Sequence, residues 1–139
     1  MKKKVVINIA DTHSDAQDSY SSELNVLGTL ECFEGGYELI YEETGEGLKG
    51  CVTTLQCEGD GVVTMTREGE YTTQMIIERE KRHLCHYMTP MGEIVMGVFA
   101  RKVESDMSEN GGGLLLNYTI DINADFAAIN ELKITVIPV

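Results

Sequence analysis

The chain has 139 residues, 42% of them hydrophobic, and its 11 basic and 23 acidic side chains give a net charge of −12. This length is typical of one domain whose core needs neither disulfides nor metal, so we expect a single domain over residues 1–139. The acidic balance argues against partners such as nucleic acid or an anionic membrane, because both attract Lys and Arg.

The first predicted strand is Val5–Ala10, because Val5, Ile7 and Ile9 share one parity. The lysine-rich start before it superficially resembles a signal peptide. The apolar run is too short for one, and Asn8 interrupts it. No segment approaches the roughly 18 apolar residues of a membrane span. We therefore expect a cytoplasmic protein.

The polar segment Asp11–Ser22 is predicted to be a loop. After it, alternation of apolar and polar residues predicts five strands, bounded by glycine-containing turns such as Thr44–Gly47 and Gly59-Asp60-Gly61. These strands are Leu24–Phe33, Tyr37–Glu43, Gly50–Glu58, Val62–Glu68 and Tyr71–Arg79.

The segment Arg82–Glu104 is predicted to be a β-hairpin around Thr89-Pro90-Met91-Gly92. Two registers are open. A three-residue loop with a glycine bulge puts residues 82, 84, 86 and 88 on one face with 94, 96, 98 and 100, and we favour it because plain type I turns match strand twist poorly. A two-residue loop instead places His83, Cys85 and Tyr87 beside Ile94, Met96 and Val98.

The last third of the chain contains a flexible loop, Ser105–Gly113, and two further strands, Leu114–Ile122 and Leu132–Val139. Between those strands, Asn123–Asn130 contains the stretch best suited to a helical turn. Roughly eight to ten short strands without a long helix predict an all-β fold, a single closed antiparallel barrel, because closure removes exposed sheet edges. A two-sheet sandwich is the alternative.

Several sequence blocks together resemble a known family. They are Tyr41-Glu42-Glu43, Gly50–Leu55, Gln74-Met75, Arg82–Leu84 through Tyr87, Thr89-Pro90, Gly92, Met96–Phe99, Asn110–Gly112, Tyr118–Asn123, Asn130 and Leu132. The chain is similar in these blocks to the YwiB-like family of small bacterial proteins of unknown function. The resemblance implies a lipocalin- or calycin-like barrel. It brings no established activity, so no catalytic residue is carried over.

The four cysteines, Cys32, Cys51, Cys57 and Cys85, form no CxxC pair and lie within strand-like runs. This spacing is unlike that of zinc sites, and the positions suit small apolar side chains. We expect reduced thiols with neither a bound metal nor another cofactor.

Cys85 and His83 are the one candidate nucleophile and base, because residues two apart on a strand share a face. No strained elbow or oxyanion hole is evident beside them, so a small buried thiol and a hydrogen-bonded imidazole are the favoured interpretation. A Cys/His hydrolase is therefore the least favoured function, and the chain is expected not to be an enzyme.

Two acidic patterns also suggest sites. Asp121-x-Asn123-x-Asp125 resembles the start of a calcium loop but lacks its later glycine and glutamate, so a strand end with an Asx turn is favoured. Glu42 and Glu43 point to opposite faces of a strand and cannot flank one bond, so a solvated rim is favoured for them.

A barrel lumen with a few polar groups can hold a small ligand. The residues predicted to bind the ligand are Arg82, His83, Tyr87, Thr54 and Tyr118. The favoured function is a non-enzymatic module that binds a small amphipathic or anionic ligand, with Arg82 and Tyr87 as polar anchors. The alternative is a filled barrel whose acidic surface binds a basic protein partner.

Overall fold

A computed structural model of the chain describes residues 2–43, 50–59, 61–69, 72–89 and 91–139. Within this part of the chain, no helix is long and apolar enough to cross a membrane. The secondary structure comprises ten strands: β1 (Lys2–Asp15), β2 (Ser19–Phe33), β3 (Gly36–Glu42), β4 (Val52–Glu58), β5 (Val62–Glu68), β6 (Thr73–Glu78), β7 (Arg82–Thr89), β8 (Gly92–Ser105), β9 (Gly112–Ile122) and β10 (Asp125–Pro138).

The strands form one antiparallel sheet in the order β6-β5-β4-β3-β2-β1-β10-β9-β8-β7. The first and last strands pair from Val5↔Pro138 to Asp15↔Ala128. The sheet curls until β6 packs against β7. At this junction, which we call the seam, the described residues form the isolated bridge Glu78↔Lys81 in place of a ladder. The predicted all-β antiparallel barrel is confirmed, and its wall is nearly closed.

The barrel is filled by side chains from the inward face of every strand. Because successive side chains of a strand alternate between faces, each strand contributes every second residue to the interior. We call the fully buried aliphatic residues at mid-height the aliphatic core: Val5, Ile7, Leu30, Leu39, Leu55, Val63, Ile77, Val98, Leu114, Leu116 and Ile134. Burial of each such side chain stabilises the fold by about 1.5–3 kcal/mol.

The predicted loop over Asp11–Ser22 is wrong, because β1 and β2 continue through it as a paired ladder. The turn is confined to residues 16–18. The Asp15 carboxylate holds the turn by accepting hydrogen bonds from the backbone N–H groups of Gln17 (2.9 Å) and Asp18 (2.8 Å). The segment is polar on both faces because its inward face lines a cavity, not the aliphatic core, so the usual alternation is absent.

The predicted helical turn within Asn123–Asn130 is also wrong. Asn123 and Ala124 both have positive φ, 54° and 69°, and connect the paired residues Ile122 and Asp125. Two such residues in succession are typical of a type I′ hairpin turn, whose twist matches that of the flanking strands. The chain therefore enters β10 directly.

The favoured bulged register of the β7–β8 hairpin is wrong, and the two-residue alternative is correct. Thr89 pairs with Gly92, whose φ of 120° glycine adopts readily, and Cys85 pairs with Met96. Burial of the inward face fixes register, because a slip of one residue would move Cys85 out of the core. His83, Cys85 and Tyr87 therefore share the inward parity.

Parts of four other predictions concern residues outside the described part of the chain: the turn Thr44–Gly47, Asp60, Tyr71 and Pro90. The predicted loop Ser105–Gly113 is shorter than expected, because β8 ends at Ser105 and β9 begins at Gly112. Ser108 and Gly111 form a bridge within the connection.

Candidate ligand-binding site

The two ends of the barrel differ in which pairs of strands are connected there. We call the end at which β1 passes to β2, β3 to β4, β5 to β6, β7 to β8 and β9 to β10 the hairpin end. Here polar residues and methionines face inward together with a few aliphatic residues, namely Ile9, Leu24, Ile120 and Leu132. Two adjoining cavities, of about 390 and 230 Å³, lie among them and share Met65, Arg67 and Met75 as lining residues. We call them together the mouth cavity.

The polar wall of the mouth cavity comes from five strands and the residue after β3. Its side chains are Asp11, Ser22, Tyr41, Glu43, Arg67 and Tyr118. The smaller cavity continues toward the seam and is more apolar. It adds Thr73, Cys85, Tyr87, Met96 and Ile120 to the lining.

A charged network holds Arg67 against Glu43. Arg67 Nη2 donates to Glu43 Oε2 at 3.4 Å, and Arg67 Nε donates to Thr53 Oγ1 at 3.4 Å. The buried Thr53 hydroxyl donates to the same Glu43 oxygen at 2.6 Å. The Glu43 side chain is only 10% exposed. The predicted solvated rim is therefore wrong for Glu43, which compensates the charge of Arg67.

Asp11 is the second carboxylate of the mouth cavity, and it is not neutralised in this way. Its neighbours across the ladder are Ser22 and Leu132. Burial raises the pKa of Asp11, and nearby His13 partly opposes that rise. Within the described residues, the Asp11 carboxylate accepts no hydrogen bond, so its capacity as an acceptor is unused.

Tyr118 lines the same cavity from β9 and is 7% exposed. Burial raises the pKa of Tyr118 to about 12. The negative charge of Asp11 adds to the rise, and the positive charge of Arg67 opposes it. Its hydroxyl forms no hydrogen bond with any described residue. Because the hydroxyl oxygen keeps some accessible surface, it is open to the space of the cavity.

His13 lies on the same face of β1 as Asp11, one pleat nearer the hairpin end. His13 Nδ1 is 2.6 Å from Oδ1 of the buried Asn130, and its ring stacks on Tyr20 with centroids 5.0 Å apart. Asp15 is 3.9 Å from the other ring nitrogen. These contacts fix the imidazole beside the cavity and leave Asp11 with its free acceptor sites.

The structure places Tyr87 and Tyr118, of the five predicted ligand-binding residues, on the mouth cavity. Thr54 has the outward parity of β4, opposite to buried Thr53 and Leu55. Thr54 therefore cannot reach the lumen.

Arg82, the predicted anchor, lies on the outer surface. It forms a two-pronged ion pair with Asp121, with N–O distances of 2.6 and 3.0 Å. The pair spans β8 at Gly97, where an added Cβ would lie 2.5 Å from Arg82 Nε and from Asp121 Oδ2. Glycine thus leaves the gap through which the guanidinium crosses. The ion pair lowers the pKa of Asp121, the residue that begins the predicted calcium-like pattern.

His83 and Cys85 share the inward parity, but their polar atoms contact β6 instead of each other. His83 Nε2 is 2.8 Å from Glu78 Oε1, and the Cys85 thiol donates to the backbone oxygen of Gln74 at 2.8 Å. Burial raises the pKa of the Cys85 thiol. A nucleophilic cysteine needs the opposite shift. These contacts hold the seam together.

The opposite end of the barrel has its own cavity, of about 420 Å³, between the turns after β2 and β4. Its buried tyrosine, Tyr37, already has a partner, because the hydroxyl is 2.9 Å from Ser105 Oγ. Much of the remaining lining is backbone of Gly35, Gly36 and Gly59. This end offers a ligand fewer unused polar groups than the mouth cavity does. Among the residues that the structure describes, no three His, Cys, Asp or Glu side chains are grouped to hold a metal ion.

The sequence model of a family described as "Domain of unknown function (DUF1934)" matches residues 7–134. The chain belongs to this family. The barrel is also similar to the crystal structure of the YwiB protein from Bacillus subtilis, with a TM-score of 0.87 and 16% identity over 99% of this chain and 93% of that chain. The predicted resemblance to YwiB-like proteins is confirmed, and at this identity the likeness shows the fold. A search of curated proteins found no match.

Sequence reasoning missed Arg67 and Asp11 in this DUF1934 chain, and it assigned Glu43 to a solvated rim instead of to the site. A signal was present for two of them. Arg67 has the parity of Val63 and Met65 in the predicted strand Val62–Glu68, and Asp11 continues the inward parity of the first strand. Parity alone therefore points both side chains into the lumen.

Proposed function

We propose that the protein is a non-enzymatic module that binds a small amphipathic molecule in the mouth cavity. One observation carries the proposal: a cavity at the hairpin end combines an apolar lining with a hydroxyl and a half-buried carboxylate that hydrogen-bond to no described residue. Pockets for small molecules typically combine a mainly apolar lining with a few convergent polar groups.

The apolar part of the cavity suits a ligand of adaptable shape. Met65, Met75 and Met96 line it. The unbranched, polarisable methionine side chain adjusts to different apolar surfaces, which is why it is frequent at binding surfaces that accept varied partners. A ligand body would pack among these thioethers and extend toward the seam.

The polar part favours a ligand over a permanently filled barrel. Polar groups that are open to a cavity can hydrogen-bond to the molecule that occupies it, and such a bond is worth about 0.5–1.5 kcal/mol net. Asp11 and Tyr118 both face the mouth cavity. A bound molecule that hydrogen-bonds to them gains this energy. We infer lipocalin-like carriage or sensing in the cytoplasm, without covalent chemistry, and the raised thiol pKa of Cys85 supports the last point.

The test uses N-phenyl-1-naphthylamine, a neutral apolar dye whose fluorescence rises in an apolar site. We expect saturable binding by the unaltered protein. Met75→Trp should weaken it at least about tenfold, because the indole fills the space shared by both parts of the cavity. Gln74→Trp is the matched control, since residue 74 is exposed on the same strand, and it should bind the dye normally.

Thermal unfolding of all three proteins checks that each variant remains folded. Equal dye binding by the two tryptophan variants would contradict the proposal. The absence of saturable binding by the unaltered protein would also contradict it. The favoured function would then be the alternative, a filled barrel that acts through its acidic surface.

A further inference from the structure

The charges facing the mouth cavity do not cancel. Three ionisable side chains that line it are charged at neutral pH in ordinary surroundings: Asp11, Glu43 and Arg67. Arg67 is bonded to Glu43 and to Thr53. This pairing neutralises Glu43 and, among the described residues that line the cavity, leaves Asp11 as the carboxylate without a cation.

Asp11 and Tyr118 approach the cavity from opposite sides of β10. The negative charge of Asp11 raises the pKa of the Tyr118 hydroxyl, which shows that the two groups lie close enough to interact. Tyr118 is more than nine-tenths buried, and its hydroxyl has no hydrogen-bond partner among the described residues. The pair thus offers acceptor atoms at the polar end of a cavity whose other end is lined by methionines.

An anionic head group would fit this arrangement poorly. It would face the Asp11 carboxylate, and the one described cation that lines the cavity, Arg67, already has its charge offset by Glu43. A neutral head group would hydrogen-bond to Asp11 and leave its charge uncompensated. An ammonium group donates up to three hydrogen bonds, and those made to a carboxylate are charge-assisted and stronger than neutral ones.

We propose, on the basis of the proposed function, that the ligand of the mouth cavity carries a cationic amine head group, with Asp11 as its counter-ion and the Tyr118 hydroxyl oxygen as a second acceptor. The apolar body then lies against Met65, Met75 and Met96. The net charge of −12 acts in the same direction, because a negative protein raises the local concentration of cations.

The test compares three probes with the same tail: octylamine, 1-octanol and octanoate, each displacing N-phenyl-1-naphthylamine at pH 7. Octylamine should bind at least about tenfold more tightly than the other two, a difference of about 1.4 kcal/mol. Asp11→Asn should abolish that preference and leave 1-octanol binding unchanged. Tyr118→Phe should reduce the preference by a smaller factor.

Glu23→Gln is the matched control. Glu23 lies on β2, next to Ser22 and with the outward parity, where it accepts a hydrogen bond from Asn8. The variant removes one negative charge close to Asp11 without altering the lumen, so it should retain the preference for octylamine.

The outcomes test the cationic head group and the existence of the binding cavity separately. Equal displacement by the three probes, or a preference for octylamine that survives Asp11→Asn, would overturn the cationic head group and leave the proposed function standing. Loss of the preference in Glu23→Gln as fully as in Asp11→Asn would also overturn it, because overall charge would then be the cause. Failure of the dye itself to bind would instead remove the proposed function.

Discussion

The aliphatic core and the mouth cavity are built on the same strands but from different residues. On β1 the inward face passes from Val5, Ile7 and Ile9 to Asp11, and on β9 it passes from Leu116 to Tyr118. In the core, aliphatic side chains pack together at the inward positions. The mouth cavity instead contains empty space, the charge of Asp11 and a hydroxyl that bonds to no described residue. The barrel thus separates the part that stabilises the fold from the part that is available to a ligand.

The largest expected effect is a loss of packing in the core. Leu116→Ala should lower the free energy of unfolding by about 2–5 kcal/mol, because Leu116 is fully buried. Met75→Ala, which removes a half-buried side chain beside an existing cavity, should cost less than half as much. Urea denaturation measures both. Similar losses in the two variants would break the distinction between core and cavity.

The next effect concerns the charged network. Arg67→Met should lower the free energy of unfolding by about 1–3 kcal/mol, because it leaves the nearly buried Glu43 carboxylate without a cation. Adding Glu43→Gln should restore much of that stability, since no uncompensated charge then remains. A double variant less stable than Arg67→Met would show that the ion pair is not what holds these residues together.

A smaller effect compares two buried tyrosines at opposite ends. Tyr37→Phe should cost about 0.5–1.5 kcal/mol, because it breaks the hydrogen bond with Ser105. Tyr118→Phe should cost nothing measurable or stabilise the unliganded protein, because its hydroxyl has no hydrogen-bond partner among the described residues. Chemical denaturation without added ligand tests the pair. A larger loss for Tyr118→Phe would show that its hydroxyl is bonded.

The smallest expected effect lies on the outer face, which belongs to neither region. Arg82 lowers the pKa of Asp121 from its ordinary 3.8, so this ion pair stabilises the fold above that pH, and its contribution is lost as pH falls through the lowered value. Asp121→Asn should therefore reduce stability slightly at pH 7, and the reduction should disappear as acid protonates Asp121. Dye binding should stay unchanged. Weaker binding would make the outer pair part of the site.

The sequence was sufficient for the architecture because alternation and turn residues are local signals. It failed over Asp11–Ser22, where both faces are polar and no alternation marks the strands. It favoured the wrong register for the β7–β8 hairpin, because turn chemistry was weighed and burial of Cys85 was not yet known. Arg82 was predicted as an anchor for the same reason, since the favoured register left the inward parity of Arg82 open, and Arg67 was not among the predicted residues.

The contacts of the site needed three dimensions. The meeting of Arg67 with Glu43, 24 positions apart, follows from the pairing of β3, β4 and β5. The role of Gly97 as a gap between Arg82 and Asp121 depends on three strands being in register. No local pattern encodes either contact, although parity alone indicates that Arg67 faces inward.

The pairing of β1 with β10 also has a kinetic consequence. The ladder that joins them encloses nearly the whole chain, whereas the seam lies between β6 and β7, which are adjacent in sequence. Closure of so long a loop must be completed before its hydrogen bonds contribute, so these contacts carry a high contact order. We therefore expect assembly of this barrel to fall in the slow range of two-state folding, about milliseconds to seconds, with the meeting of the first and last strands as its slow step.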